Sequence, residues 1–305
     1  MSPDPSDFTI EPLGPFSLAE AASFGFGPRA PAAYDGVMRL AFCVDGYRTQ
    51  VAVEVRQDAA GVHGWVQGAA DLAAVRAQVA RVLSLDHDGL QFSAVGQRDP
   101  VIGRLQTVAP GLRPPLFYSP YEAAAWSVLS ARRPAVQMAE VRRLLSEAHG
   151  RTFHVAGQQL EALPIPEQLL EVRQFPAIPE IKLRRLHGVA EAAGEGRLDA
   201  SHLCAVGVEE ATVELRRLEG IGPFYAALIM VRGSGLADVL PSDEPKLKAL
   251  VAKLYGLSAP LAPTSSKPSP TRGGRYARGP PCSFAPPGTD WSPRTAVGAA
   301  IVRRR

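Results

Sequence analysis

Cysteine is scarce in this chain: 3 among 305 residues, at positions 43, 204 and 282. Spacing that wide offers neither a disulfide framework nor a cysteine-based metal site. The six histidines show no HxxxH or comparable spacing, so no metal and no cofactor is expected. No apolar run is long enough to span a bilayer, and residues 1–8 are polar and acidic, unlike a signal peptide. These absences set aside membrane and disulfide-rich secreted classes and predict a soluble protein of the reducing cytoplasm. Bulk positive charge is lacking too. The net charge is +3, but residues 263–305 hold eight Lys/Arg against one Asp, so the rest is slightly acidic. A uniformly basic nucleic-acid binder is excluded, and any such contact must use a local patch or backbone N–H groups.

What is present centres on residues 218–247, LEGIGPFYAALIMVRGSGLADVLPSDEPKL. Residues 208–218 (VEEATVELRRL) have amphipathic helical spacing, and residues 223–232 (PFYAALIMVR) predict an almost wholly apolar helix that opens on Pro223. Between them lies Gly220-Ile221-Gly222. Glycine tolerates positive φ and lets another backbone approach, so the hairpin leaves free N–H groups at the second helix's start. Together with the helix dipole they form an anion site that suits a DNA phosphate. After a Gly-Ser-Gly step and a short apolar run comes Asp243, 21 positions beyond Gly222, at the mouth of a further helix. Taken singly, the glycines read as a turn and Asp243 as an N-cap.

The chain before this stretch falls into two parts. Residues 1–112 predict a small α/β domain: a helix at 16–26, strands at 37–45 and 48–56 across a Gly46 turn, a third strand near 61–67, and an amphipathic helix at 70–84. VAPGLRPP (108–115) reads as the link. Residues 113–258 predict an all-helical domain, with helices at 119–131, 135–149, 166–173, 179–193 and 200–206 ahead of the hairpin. Residues 259–305 shift to Pro, Gly, Ser and Arg, which predicts disorder with a remnant terminal helix.

The helix–Gly-x-Gly–helix, Gly-rich loop and aspartate, in this order, resemble the helix-hairpin-helix base-excision DNA glycosylase superfamily. Residues 98–115, 121–150 and 178–193 extend the similarity to its DNA-3-methyladenine glycosylase II branch, from about Phe8 to Gly256. The resemblance implies an α+β fold, a partner of double-stranded DNA containing damaged bases, a monomer without metal, and a place near the nucleoid. Asp243 becomes the catalytic residue, and Gly220, Ile221 and Gly222 the phosphate contacts. Arg132 and Arg133 stand where the family inserts a wedge into the duplex. Phe24 falls where its N-terminal domain offers a ring to the extruded base, and Phe224 and Tyr225, at the start of the hairpin's second helix, are further candidate rings.

Bifunctional relatives place a nucleophilic lysine two residues after the second glycine. Here that position is Phe224, which leaves no amine for a Schiff base and implies a monofunctional, hydrolytic enzyme. The family's terminal Trp-x-Pro-aromatic-Arg pattern is broken, since Trp291-Ser292-Pro293 runs straight into Arg294. That keeps open a DNA-binding hairpin protein without catalysis, or a glycosylase for another base such as hypoxanthine.

Overall fold

The computed structural model describes residues 7–25, 27–29, 34–236, 239 and 245–257. Asp243, with its neighbour Glu244 and the whole tail from Ser258, lies outside them.

The chain opens with β1 (Asp7–Ile10), α1 (Leu18–Ser23), β2 (Met38–Cys43), β3 (Gln50–Asp58), β4 (Gly61–Gln67), α2 (Leu72–Val82), α3 (Gly89–Arg98) and α4 (Pro100–Val108). The four strands form an antiparallel sheet in the order β1-β4-β3-β2, with Ala41 opposite Ala52 and Val53 opposite Val66. Alternation directs Met38, Leu40, Phe42, Val51, Val53 and Val55 to one face, where they pack with Leu18, Val75, Val79 and Val82 of α1 and α2. Burial of each such side chain contributes roughly 1.5–3 kcal/mol.

The second part comprises α5 (Pro120–Ser130), α6 (Ala135–His149), β5 (Arg151–Val155), β6 (Gln158–Ala162), α7 (Pro166–Glu171), α8 (Glu180–Gly194), α9 (Ala200–Val206), α10 (Val208–Arg216), α11 (Pro223–Arg232) and α12 (Pro245–Tyr255). Helix α5 is its axis, with every residue from Pro120 to Leu129 buried. Ser119 caps it through the Glu122 N–H, with Pro120 in the first turn.

The expectation of an all-helical second part is corrected by β5 and β6. They form a hairpin whose turn, Ala156-Gly157, has φ of 42° and 76°, the primed geometry that matches strand twist. Arg39 donates to the Ala156 carbonyl, bracing that turn. Phe153, Val155 and Ala162 of the hairpin cover the sheet's second face, over Ala41 and Ala52, whose small side chains allow close approach. This accounts for the near-continuous burial of β2.

Other core residues also cross the expected 112/113 boundary. Cys43 and Tyr47 belong to the helical core, and Tyr118 to the sheet core. Helix α12 returns to the first part: Leu247 packs with Val95 and Ile102, and the Tyr255 hydroxyl donates to Asp99 at 2.7 Å. Asp99 itself caps α4 through the Val101 and Ile102 N–H groups.

Candidate nucleic-acid interface

The hairpin between α10 and α11 is anchored from inside. Leu218 and Ile221 are buried, and the Ile221 N–H donates to the Leu218 carbonyl at 3.0 Å. Ile221 thus fixes the turn with both its side chain and its N–H. Gly220 has φ of +93°, which disfavours any residue bearing a Cβ. Gly222 is extended (φ −88°, ψ −178°) and is the N-cap of α11, which has no side-chain cap. Pro223 has no N–H, so the first-turn donors are those of Phe224 and Tyr225. A Cβ built on Gly222 meets nothing within 4 Å. An uncapped helix N-terminus with open backbone beside it is fitted to an anion arriving from outside.

Helix α8 runs alongside. Leu183, Leu186 and Val189 pack into the helical core, while Arg184 and Arg185 reach Glu219 of the hairpin at 3.3 and 3.1 Å. The hydrogen bond from Arg185, then that from Arg184, holds the Glu219 carboxyl below its usual range. One turn earlier, Lys182 Nζ donates to the carbonyls of Leu129 and Ala131 (3.1 Å to Ala131), at the end of α5. Desolvation lowers the Lys182 pKa, assisted by the charges of Arg133 and Arg185. Arg133 of loop 131–134 and Arg185 of α8 thus both act on Lys182 through their charge. The KLRR cluster was visible in sequence, but only its segment was read there, with no role for Lys182, Arg184 or Arg185.

Loop 131–134 turns sharply at Arg132, whose φ is +57°. Arg132 and Arg133 are exposed, as is the first turn of α6, with Val136 86% accessible. The two arginines thus stand at a solvent-facing tip.

The three rings separate into two places. Phe224 is 41% exposed and meets Tyr225 edge-on at 5.2 Å, while Tyr225 is half-buried against the helical core. Phe24 is buried at the far end of α11, with the Arg232 guanidinium 5.5 Å from its ring centre. Eight residues of helix, about 12 Å of rise, separate Phe224 from Arg232. Arg232 donates to the Pro115 carbonyl at 2.7 Å, and burial followed by the Arg29 charge brings its pKa down to about 9. It stays cationic at neutral pH. No sequence signal pairs Phe24 with Arg232, which lie 208 positions apart.

Helix α12 begins two positions after Asp243, and the Leu247 and Tyr255 contacts fix it to α3 and α4. Among the described residues, no helix is long and apolar enough to cross a membrane.

No family model matches the chain. Over 191 residues it is 29% identical to the "Probable bifunctional transcriptional activator/DNA repair enzyme AlkA" of Mycobacterium tuberculosis, an alignment covering 62% of this chain and 38% of that protein. The chain thus matches well under two thirds of the length of these curated relatives. In three dimensions it superposes on the 3-methyladenine DNA glycosylase from Archaeoglobus fulgidus with a TM-score of 0.63 at 21% identity, over 84% of this chain and 88% of that one. The Clostridium acetobutylicum 8-oxoguanine glycosylase/lyase, in complex with duplex DNA containing cytosine opposite 8-oxoG, gives 0.53 at 19% identity, over 71% and 72%. At such identities the likeness establishes the fold alone, the α+β architecture shared with these two solved proteins.

Proposed function

We propose that the chain is a monofunctional DNA glycosylase of base excision repair, which hydrolyses the N-glycosidic bond of alkylated purines of the 3-methyladenine type in double-stranded DNA. One observation carries the reading. The open, uncapped start of α11 at Gly222 is followed at once by the exposed ring of Phe224, where strand-cleaving relatives carry lysine. A phosphate on the first-turn N–H groups would hold the backbone, and Phe224 and Tyr225 would offer aromatic faces nearby.

Extruding a base costs a few kcal/mol, and an arginine at the tip of loop 131–134 can offset part of it by filling the gap with its aliphatic stem. Departure of the base builds oxocarbenium character on the sugar. Asp243 is the carboxylate assigned to stabilise that charge and orient water, with no covalent intermediate. A purine that already bears a positive charge leaves readily and needs no strong general acid.

A second reading is favoured by Arg232. Its guanidinium holds a face of Phe24, one of the three rings proposed for the base, and repels a cationic purine stacked there. If the base reaches Phe24, a neutral carbonyl-bearing lesion such as hypoxanthine suits it better. Both readings are tested by incubating the protein with methylated duplex and with hypoxanthine-containing duplex and identifying the released bases. Release of 3-methyladenine without strand nicking is expected. Release of hypoxanthine alone would favour the second reading, and duplex binding with no base released would leave a non-catalytic hairpin protein.

A further inference from the structure

We propose that Lys182 is a positioning residue, which clamps the arginine-tipped loop 131–134 from α8 and so fixes its spacing from the hairpin at 218–222. This inference rests on the glycosylase reading above for the loop's role in the duplex.

The end of a helix leaves carbonyls without intrahelical partners, and α5 ends abruptly, since Ala131 already has ψ of 118°. Lys182 takes two carbonyls there, Leu129 and Ala131, reaching across from a different helix. Arg132, next in the chain, is in the left-handed region, so the loop turns at the residue that directly follows the Ala131 carbonyl Lys182 holds. One turn further along α8, Arg185 lies against the hairpin: a Cβ on Gly220 would come within 3.1 Å of its Cδ. A single helix thus touches both elements assigned to DNA contact.

The choice of an ammonium is informative. A cap alone could be supplied by a neutral donor. Lys182 instead places a desolvated charge near Arg133 and Arg185, an arrangement unfavourable in the free protein. Phosphates that straddle the loop and the hairpin would relieve that repulsion, so charge and geometry serve the complex better than the free chain.

The test compares Lys182→Met with Lys182→Arg in the full chain. Spin labels at exposed Val136 and Arg217 would report the loop-to-hairpin distance in the free protein. A 2-aminopurine beside the lesion would report extrusion, with binding to an abasic-analogue duplex measured in parallel. Lys182→Met should broaden the distance distribution and slow extrusion roughly tenfold, with Kd raised by no more than about threefold. Lys182→Arg should largely restore both. A distribution as narrow as wild type in Lys182→Met, or equal defects in Met and Arg variants, would overturn the proposal. Broadening by Lys182→Met in a protein that extrudes and excises no lesion would instead refute the glycosylase reading and leave the clamp standing.

Discussion

Arg142 of α6 donates to Glu122 of α5 at 2.7 Å, and the same carboxylate accepts the N–H of Cys43 at the end of β2. Glu122 is 3% exposed, so this ion pair is a buried tie between the sheet and the helices. Burial raises the Glu122 pKa, and Arg142 opposes that rise.

Removing one partner of a buried pair leaves a charge without compensation. Arg142→Met should therefore cost about 3–5 kcal/mol at neutral pH. Because the folded-state pKa of Glu122 is raised, its contribution is fully present below the ordinary carboxylate pKa and is lost as pH rises through the folded value. Without Arg142 that folded value rises further, so the deficit should shrink on acidification as Glu122 takes a proton. Denaturant melts at pH 7 and near pH 4.5 would check this, and an equal deficit at both would refute the buried-charge account.

The two hairpin glycines should respond differently to the same substitution. Gly220→Ala puts a Cβ on a left-handed residue at 3.1 Å from Arg185, which should cost roughly 1–2 kcal/mol in stability. Gly222→Ala meets nothing in the free protein and should melt within about 0.5 kcal/mol of wild type. Its effect should appear only with DNA, as weaker binding where the phosphate must come close. Unchanged affinity of Gly222→Ala for an abasic-analogue duplex would remove the hairpin from the interface.

Much of the local structure was readable in sequence because its causes are local. Ala135–His149 and Ala200–Val206 carry helical spacing between Pro and Gly punctuation, and Gly46 marks the turn before β3. Hairpin β5–β6 was missed because its strands are five residues each, with outward positions mostly polar. Its apolar residues find their partners at Ala41 and Ala52, about a hundred positions away. Helices α3 and α4 were hidden by internal glycines, although Asp88 and Asp99 stand as N-caps. The hairpin glycines and the exposed arginines of the candidate site could be named from motif and spacing. Lys182's grip on α5 and Arg232's place on Phe24 could not, since long-range packing alone creates them.

Glu219 is a negative charge set beside the phosphate site proposed at Gly222, and is held by Arg184 and Arg185. Glu219→Gln should tighten duplex binding, because the repulsion goes and two arginines become free for phosphates. The salt dependence should steepen, with the slope of log K against log salt growing by roughly one unit per added phosphate contact. Fluorescence anisotropy across a salt series would measure it. Weaker binding in the variant would mean that Glu219 orders the arginines more than it competes with DNA.

Asp243 carries the chemical assignment, and Glu244 is its rival by one position. Asp243→Asn keeps size and shape while removing the anion proposed to face the developing sugar cation. The α12 anchors at Leu247 and Tyr255 are untouched, so the melting temperature should hold. Loss of one preorganised electrostatic group typically costs about 100- to 1000-fold in rate, roughly 2.7–4 kcal/mol. Binding to lesion DNA should survive or tighten slightly, since a negative charge near phosphates is gone. Glu244→Gln should leave the single-turnover rate near wild type. Full activity in Asp243→Asn, or collapse only in Glu244→Gln, would move the catalytic role one residue along the chain.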